Sequence, residues 1–479
     1  MNRELKRVSA AILIMFVALM CSTTTITVFQ VDNLRADGRN VRTLYDSYSA
    51  ERGPILVAGT PIAESKPVDD EYKYQRVYTE PELYAPITGY FTLNQGTTGI
   101  EGALNDYLSG TANDQFLAQV NAILTGQSPK GATVALTIDP DVQKAAWDAL
   151  GSHSGAVVAL DPQTGAILAM VSKPSYDPNK LASHTTADVI SAYDQLLADP
   201  ANPLFNRAIS GNLYHPGSVF KLIVASAAID SGRFTPDSAF PNPATLQLPL
   251  STFKITNSDN GKCGPGDTAT IATALRLSCN IPFAELGAAL GQDELRTYAQ
   301  RFGFGQDLGI PMAVTPSTIP DSLDAPQLML SSFGQANVSV TPLQIAMVSA
   351  AIANGGTIMK PTLIRSILAP NLSVIQPFQS TVLNTPISKQ TASSLTEMMV
   401  NNVNNGAASN GRIDGVKVGG KTGTAENGKD EPFTLWFTGF APADNPKIAV
   451  AVVVEDSTSF GNAVAAPIAR QVMEAVLNK

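Results

Sequence analysis

Histidine and cysteine are scarce in this sequence of 479 residues. It contains three of each, and no pair among them has the spacing of a zinc or redox site. The sequence therefore predicts no metal site and no cofactor, and it removes the candidates for most reactions that use histidine as a base. An enzyme of this composition needs another general base, and lysine is the available candidate.

Positive charge is also in short supply. The chain has 32 Lys and Arg against 41 Asp and Glu, which gives a formal net charge of −9. This balance argues against a non-specific nucleic-acid-binding protein, because such a protein needs a basic surface to displace counterions. Apolar residues make up 44%, so the chain can form a large core, and its length suggests about three domains.

One uncharged hydrophobic run lies near the N-terminus. Arg3, Lys6 and Arg7 precede residues 8–31, which carry no charge and would form about 36 Å of helix against a hydrocarbon core of about 30 Å. Because basic residues mark the cytoplasmic side, we expect a cytoplasmic tail at 1–7, a single transmembrane anchor at 8–31 and an extracytoplasmic body. A cleaved signal peptide is the alternative, although no small-residue cleavage motif follows closely.

Two regions follow the predicted anchor. Residues 32–130 are polar and rich in turn formers, which predicts a small N-terminal domain. Beyond them, SGAVVALDPQTGAILAMVS predicts an antiparallel hairpin and SVFKLIVASAAID a buried helix, and the sequence near the C-terminus predicts a further pair of strands and a final helix. Apolar strands at both ends with helices between them predict one α+β domain over residues 131–479, with an antiparallel sheet flanked by helices.

An S-x-x-K motif lies at the start of the predicted buried helix, at Ser218 and Lys221. Positions i and i+3 share one helical face, so the amine can reach the hydroxyl, and burial lowers the pKa of a lysine enough for it to accept the serine proton. Unpaired N–H groups at a helix N-terminus can also hold an oxyanion. A second copy, Ser251 with Lys254, has no apolar helix behind it, and we interpret it as coincidence.

A K-T-G motif occurs once, at Lys421, Thr422 and Gly423, directly after two further glycines. Glycines in a strand allow another backbone to approach closely, so an extended peptide could pair with this strand.

S-x-N occurs three times, at Ser210/Asn212, Ser258/Asn260 and Ser278/Asn280. The third copy is favoured because it lies between two predicted helices, where a short connection can project into a cleft. The Ser258 copy is the rival.

The order S-x-x-K, S-x-N, K-T-G is far more specific than any one motif, and it matches penicillin-recognising acyl-transfer enzymes. The sequence resembles the class B penicillin-binding proteins, the membrane-anchored D,D-transpeptidases of peptidoglycan synthesis. GAVVALDPQTGAILAMVSKPSYDPN and GQANVSVTPLQIAMVSAAIANGG resemble stretches of their catalytic domain, and ERGPI and TTGIEGALNDYLSG resemble their N-terminal pedestal. The short pedestal is similar to that of the actinobacterial penicillin-binding proteins A.

Two features depart from the family pattern. His215 stands where many relatives have Glu before Pro-Gly-Ser, and VAGTP replaces the usual D-R-N/D-G after the R-G-x-I element. Neither change touches a motif residue. The resemblance therefore implies a penicillin-binding transpeptidase/β-lactamase-like fold, made of an antiparallel sheet flanked by helices and a helical subdomain, with a small N-terminal pedestal and a membrane anchor.

The resemblance also assigns roles to the motif residues. Ser218 would be the acylated nucleophile and Lys221 its general base, while Ser278 and Asn280 would complete the proton relay and hold the substrate amide. Lys421 would supply positive charge.

The K-T-G strand would bind the substrate. Thr422, Gly423 and Thr424 would receive the D-Ala-D-Ala end, with both threonines on its carboxylate. The oxyanion would be held by the backbone N–H groups of Ser218 and Thr424.

The partners implied are peptidoglycan stem peptides, β-lactams, the cytoplasmic membrane, a membrane glycan polymerase of the shape, elongation, division and sporulation family, and other cell-wall or division proteins. Two alternatives remain open: a D,D-carboxypeptidase that uses water as acceptor, and a non-enzymatic β-lactam sensor. A sensor would need more membrane spans and a cytoplasmic domain.

Cys263 and Cys279 form a separate hypothesis. Both are expected outside the membrane, where disulfides persist. They enclose a loop of about 15 residues, whose closure could contribute about 3 kcal/mol. Because Cys279 is the middle residue of the favoured S-x-N motif, a disulfide there would tether the loop that carries this motif.

Overall fold

The computed structural model describes residues 2–26, 50–115, 130–211, 213–258, 260–428 and 430–479. Residues 27–31 of the predicted anchor and Asn212 of the first S-x-N copy lie outside these ranges. Within them, helix Asn2–Thr24 is long and apolar enough over Leu5–Thr24 to cross a membrane, and its apolar side chains are exposed.

The longer helices and strands are numbered separately in chain order. The helices are α1 (Asn2–Thr24), α2 (Pro81–Thr88), α3 (Gly99–Ala103), α4 (Asn105–Ser109), α5 (Pro140–Leu150), α6 (Thr186–Ala198), α7 (Lys221–Asp230), α8 (Ile271–Leu277), α9 (Ile281–Leu290), α10 (Gln292–Arg301), α11 (Ala325–Ser331), α12 (Pro342–Ala353), α13 (Lys389–Asn405) and α14 (Ala465–Leu477). The strands are β1 (Ile55–Val57), β2 (Thr60–Pro67), β3 (Tyr74–Tyr78), β4 (Thr133–Leu136), β5 (Gly155–Leu160), β6 (Ile167–Lys173), β7 (Ala239–Pro241), β8 (Thr245–Gln247), β9 (Lys254–Thr256), β10 (Thr268–Thr270), β11 (Leu308–Gly309), β12 (Ala313–Val314), β13 (Ile358–Met359), β14 (Ile364–Leu368), β15 (Val374–Gln376), β16 (Val382–Asn384), β17 (Gly419–Ala425), β18 (Phe433–Ala441) and β19 (Ile448–Ser457).

The centre of the molecule is an antiparallel sheet of five strands in the order β17-β18-β19-β5-β6. The predicted hairpin forms β5 and β6, and the strands predicted near the C-terminus form β18 and β19. Both faces of the sheet are covered. Phe437 and Val452 point to one face, where helices α5 and α14 pack, whereas Trp436 and Val453 point to the other, where α7 and α12 lie. Helical layers on both sides of one antiparallel sheet confirm the predicted α+β fold.

A second sheet of six strands, in the order β15-β14-β4-β1-β2-β3, forms the N-terminal region of the fold. β4 pairs parallel to β1 and antiparallel to β14. Strands from distant segments of the chain therefore complete the sheet that begins with β1.

Helix α7 is the buried centre of the helical region. Its residues from Lys221 to Ala228 are all buried, which agrees with the apolar sequence on nearly all of its sides. Helices α9, α10 and α13 pack around it. The short 3₁₀ turn Gly217–Phe220 leads into α7. Ser218 therefore lies three residues before Lys221, the first residue of a helix that is buried as far as Ala228.

Candidate active site

Two glycines allow the segment before α7 to pack closely against its neighbours. Gly217 lies against strand β17, and Gly334 lies against Gly217. Gly217 has φ +53°, and a Cβ there would lie 3.2 Å from atoms of Thr424 and Ala425. Its N–H donates to the carbonyl of Gly334 at 2.9 Å. A Cβ on Gly334 would lie 1.9 Å from the Gly217 carbonyl oxygen, so only glycine permits this approach. Ser218 is thereby held between the helical region and the edge of the central sheet.

Lys221 Nζ contacts three oxygen atoms. It lies 2.9 Å from Ser218 Oγ, 2.8 Å from the Ser278 carbonyl oxygen and 2.8 Å from Asn280 Oδ1. The side chain is fully buried. Burial first, and then the nearby charge of Lys421, hold the pKa of Lys221 well below its usual range. A neutral amine has two N–H groups, which the two carbonyl oxygens occupy, so its lone pair is left to face the Ser218 hydroxyl.

Ser278 connects the two lysines. It ends helix α8 with φ +61°, a left-handed conformation that is uncommon for a non-glycine residue and concentrates at functional sites. Its carbonyl accepts from Lys221, and its Oγ accepts from Lys421 Nζ at 2.7 Å. The left-handed turn lets one residue bond both lysines through different atoms.

Strand β17 carries Lys421 into this network. The side chain of Lys421 is fully buried, and burial lowers its pKa to about 7. Thr422 Oγ1 donates to the Ala407 carbonyl at 3.1 Å, and Thr424 Oγ1 accepts from the Gly461 N–H at 3.2 Å. A Cβ on Gly423 would lie 3.0 Å from the Pro216 carbonyl oxygen. Glycine at this position therefore brings the approach to Ser218 close to the strand.

The structure brings the favoured motif residues together and leaves their rivals apart. Ser218, Lys221, Ser278, Asn280 and Lys421 form one continuous chain of hydrogen bonds.

The rival motifs lie in less buried segments. The second S-x-x-K copy is carried by the β8–β9 hairpin, where the hydroxyl of Ser251 accepts from the Phe253 N–H. In the second S-x-N copy, Ser258 and Asn260 are exposed. The hydroxyl of Ser210 donates to the Asn206 carbonyl.

Cys263 and Cys279 are joined in a disulfide, with their Cα atoms 5.7 Å apart. Both residues are buried. The backbone N–H of Cys263 donates to the side chain of Asn242 at 2.6 Å. The disulfide therefore joins the S-x-N turn to the segment that follows the β8–β9 hairpin.

His215 has partners other than Ser218. Its Nδ1 lies 3.0 Å from the Val338 carbonyl oxygen, and its own carbonyl accepts from Trp436 Nε1 at 3.0 Å. Trp436 is fully buried, so it is part of the core. Within the described residues, no group of three or more His, Cys, Asp and Glu side chains is arranged to hold a metal ion.

Two supporting residues could not be found from the sequence. Glu455 Oε1 lies 2.5 Å from the Tyr214 hydroxyl and 3.1 Å from Arg207 Nε. Asn257 accepts from backbone N–H groups at the start of α9. Neither residue belongs to a spaced motif. Burial of a polar residue could have been a signal, but only after the fold was known.

The fold and this chain of hydrogen bonds define a class, the penicillin-recognising serine enzymes. The family model described as the penicillin binding protein transpeptidase domain matches residues 155–474, and the penicillin binding protein A dimerisation domain matches residues 52–134. The chain therefore belongs to the penicillin-binding proteins with a transpeptidase domain.

Full-length relatives share much of the sequence. The peptidoglycan D,D-transpeptidase PbpA of Mycolicibacterium smegmatis is 43% identical, with all of both chains covered. PbpA of Mycobacterium tuberculosis is 41% identical, covering all of this chain and 99% of that one. The structure of penicillin-binding protein A from M. tuberculosis as a ceftriaxone acyl-enzyme complex superposes with a TM-score of 0.87 at 41% identity. It covers 90% of this chain and all of that chain.

Proposed function

We propose that this chain is a peptidoglycan D,D-transpeptidase that is acylated on Ser218. The observation that carries the proposal is the contact between Ser218 Oγ and a buried Lys221 whose two other acceptors are carbonyl oxygens. Ser218 attacks the carbonyl of the penultimate D-Ala of a stem pentapeptide, and the terminal D-Ala leaves. An amine of a neighbouring stem then attacks the acyl-enzyme, which forms the cross-link and frees Ser218.

Proton transfer follows the hydrogen bonds. Lys221 takes the Ser218 proton as the C–O bond forms. Ser278 gives its hydroxyl proton to the leaving amine and is reprotonated by Lys421. When the acceptor amine attacks, its proton returns through Ser278 to Lys421, and Lys221 gives its proton back to Ser218. Asn280 holds the substrate amide with the N–H that its other contacts leave available. The backbone N–H groups of Ser218 and Thr424 stabilise the oxyanion.

Charge and hydrogen bonds along β17 support recognition of the substrate carboxylate. A bound carboxylate would raise the pKa of Lys421 and favour its charged form. The Thr424 hydroxyl accepts a hydrogen bond from the Gly461 N–H and so keeps its own O–H to donate. The Thr422 hydroxyl already donates a hydrogen bond to the Ala407 carbonyl. Thr424 is therefore the stronger candidate for donating a hydrogen bond to the substrate carboxylate. Thr422 can do so only after it gives up its hydrogen bond to Ala407. The same groups would hold the carboxylate of a β-lactam.

The proposed organisation places this chemistry outside the cell. Residues 1–7 are cytoplasmic, 8–31 form a single membrane anchor, 32–130 form the pedestal and 131–479 the catalytic domain. The apolar segment Leu5–Thr24 supports the anchor. A membrane glycan polymerase of the shape, elongation, division and sporulation family would supply the strands, and other cell-wall or division proteins would assemble with the pair.

Product analysis separates the transpeptidase from the carboxypeptidase. The full-length protein is incubated with nascent glycan strands that bear pentapeptide stems, and the muropeptides are then resolved by mass. We expect cross-linked dimers with the wild type and none with Ser218→Ala. Trimmed tetrapeptides without dimers would instead support the D,D-carboxypeptidase. Ser218 acylation by a β-lactam without any turnover of stems would support the sensor.

A further inference from the structure

A buried asparagine holds the N-terminus of helix α9 from outside that helix. Asn257 Oδ1 accepts from the N–H groups of Asn280, at 2.9 Å, and Ile281, at 3.0 Å. Its Nδ2 donates to the Gly261 carbonyl at 2.9 Å, and the residue is 2% exposed. An amide that accepts two N–H groups with its oxygen and donates with its nitrogen has only one orientation that satisfies it.

This external cap leaves the side chain of Asn280 available for other contacts. The first N–H groups of a helix need acceptors, and asparagine at the N-cap commonly supplies one. Asn280 is the N-cap residue of α9, yet its side chain makes no capping bond. Its Oδ1 accepts from Lys221 Nζ at 2.8 Å, and its Nδ2 donates to the Thr256 carbonyl at 3.0 Å.

We infer that Asn257 is a positioning residue for acylation of Ser218, because it binds the backbone N–H groups of Asn280 and Ile281 and so holds the Asn280 side chain against Lys221. Thr256 and Asn257 are consecutive, and together they fix both the side chain and the backbone of Asn280. The inference rests on the proposed function and adds a residue to its machinery that lies outside the three motifs.

The consequence for Lys221 is directional. Its two carbonyl acceptors, from Ser278 and Asn280, hold the amine so that its lone pair faces Ser218 Oγ. Without Asn257, the backbone N–H groups of Asn280 and Ile281 lose their acceptor, so the backbone that carries the Asn280 side chain is no longer fixed. A shift of this backbone would move Asn280 Oδ1 away from Lys221.

Three variants of the full-length protein test this role. Asn257→Ala removes the acceptor. Asn257→Asp keeps an oxygen for both N–H groups and adds a negative charge, whereas the control Asn242→Ala removes another buried asparagine that bonds the Cys263 backbone. The acylation rate constant with a fluorescent penicillin is measured against pH, and thermal unfolding is followed in parallel.

We expect Asn257→Ala to acylate about 100-fold more slowly than wild type, since small misplacements of reacting groups cost about this factor. Asn242→Ala should stay within about threefold of wild type, because its side-chain bonds end on the backbones of Cys263 and Gly266 and not on α9. Asn257→Asp keeps the acceptor but sets a carboxylate oxygen against the Gly261 carbonyl, so it should recover only part of the rate, with the acid limb of its pH profile moved to higher pH. The added carboxylate favours protonated Lys221, whose facing charged group is Lys421.

Two results would overturn the inference. One is an Asn257→Ala rate within about threefold of the Asn242→Ala control. The other is an Asn257→Asp pH profile that superimposes on the wild type, which decides the matter even if Asn257→Ala does not fold. Failure of the proposed acylation of Ser218 is distinct, because wild-type Ser218 would then not be labelled at all. The inference concerns acylation alone, so it does not depend on whether a stem amine or water later attacks the acyl-enzyme.

Discussion

Ser278 stands between two buried lysines, and its carbonyl and hydroxyl oxygens each bind one of them. The pKa of each amine is lowered. Burial and the charge of Lys421 lower the pKa of Lys221, and burial lowers the pKa of Lys421 to about 7. In the proposed mechanism the two lysines have different tasks. Lys221 must be neutral to accept the proton of Ser218, and Lys421 must be charged to hold a carboxylate.

The first prediction concerns the pH dependence of acylation. Below the pKa of Lys221 the amine is protonated and cannot act as a base, so the rate falls toward acid. Because that pKa lies well below 10.5, this limb should lie well below pH 10.5 as well. Lys421→Gln removes the facing charge, which raises the pKa of Lys221 and moves the acid limb to higher pH. The rate at neutral pH should fall about 100-fold.

The measurement is the second-order acylation rate from about pH 5 to pH 11, a range that includes the usual lysine pKa of about 10.4 near its upper end. An acid limb that stays in place in Lys421→Gln would show that the two lysines do not interact.

The second prediction separates the two threonines of β17. Thr424→Val removes a hydroxyl whose proton is available, so β-lactam acylation should fall about 10- to 100-fold, the range of a charge-assisted hydrogen bond. Thr422→Val should cost less, since Thr422 donates to Ala407. Acylation rates of the two variants at one pH give the comparison, and an equal or reversed order would contradict it.

Motif spacing, together with the apolar helices predicted around each copy, selected the residues that the structure brings together, but not their supports. Ser218 and Lys221 are three positions apart on one helical face, so their contact follows from local geometry. Asn257 acts on Asn280 from another element, and Glu455 reaches Tyr214 across 241 positions. No local pattern encodes such pairs, because they exist only once the chain has folded.

At the scale of elements, the N-terminal sheet is held around a buried ionic triad. Glu101 is fully buried, with Arg52 Nε at 2.6 Å from one carboxylate oxygen and Arg76 Nε at 2.6 Å from the other. Burial alone would raise the pKa of Glu101, but the two guanidinium groups lower it. The ionised Glu101 carboxylate therefore stabilises the folded state at neutral pH, and this stabilisation is lost as pH falls through the lowered pKa of Glu101.

The third prediction follows from that triad. Glu101→Gln leaves two buried guanidinium groups without a counter-charge, so the free energy of unfolding should fall by about 3–5 kcal/mol. Asp148→Asn, which removes the exposed ion pair with Lys144, should change it by at most about 1 kcal/mol. Chemical denaturation of both variants tests the contrast. Equal losses would mean that the triad contributes no more than a surface pair.

Strand patterns were predicted more reliably than strand partners. The segment TVALTID at residues 133–139 alternates apolar and other residues as a strand does, and β4 lies there, but its neighbours are β1 and β14. β14 begins at Ile364, far along the chain. Alternation of apolar residues shows which face of a strand is buried, and it carries no information about which distant segment completes the sheet.

At the scale of the whole molecule, the described residues divide between an exposed apolar helix and a folded body. The side chains of α1 over Leu5–Thr24 are exposed, whereas the catalytic groups lie deep between the central sheet and the helical region. The acidity of the chain, at −9, has no role in the proposed chemistry.

The fourth prediction is that the folded body acts without α1. A protein that begins at residue 32, after the predicted anchor, should be soluble without detergent and should be acylated within about twofold of the full-length rate, because the apolar side chains of the described part of α1 are exposed and form no part of the core. Sedimentation without detergent and penicillin labelling check the two properties. Aggregation, or a much slower acylation, would assign α1 a role in the folded body.

The central claim is that Ser218 forms the acyl-enzyme, and peptide mass mapping after penicillin treatment tests it most directly. The folded wild-type protein should carry one adduct, located on the peptide that contains Ser218, and Ser218→Ala should carry none. An adduct on another residue, or no adduct on folded wild-type protein, would contradict the account.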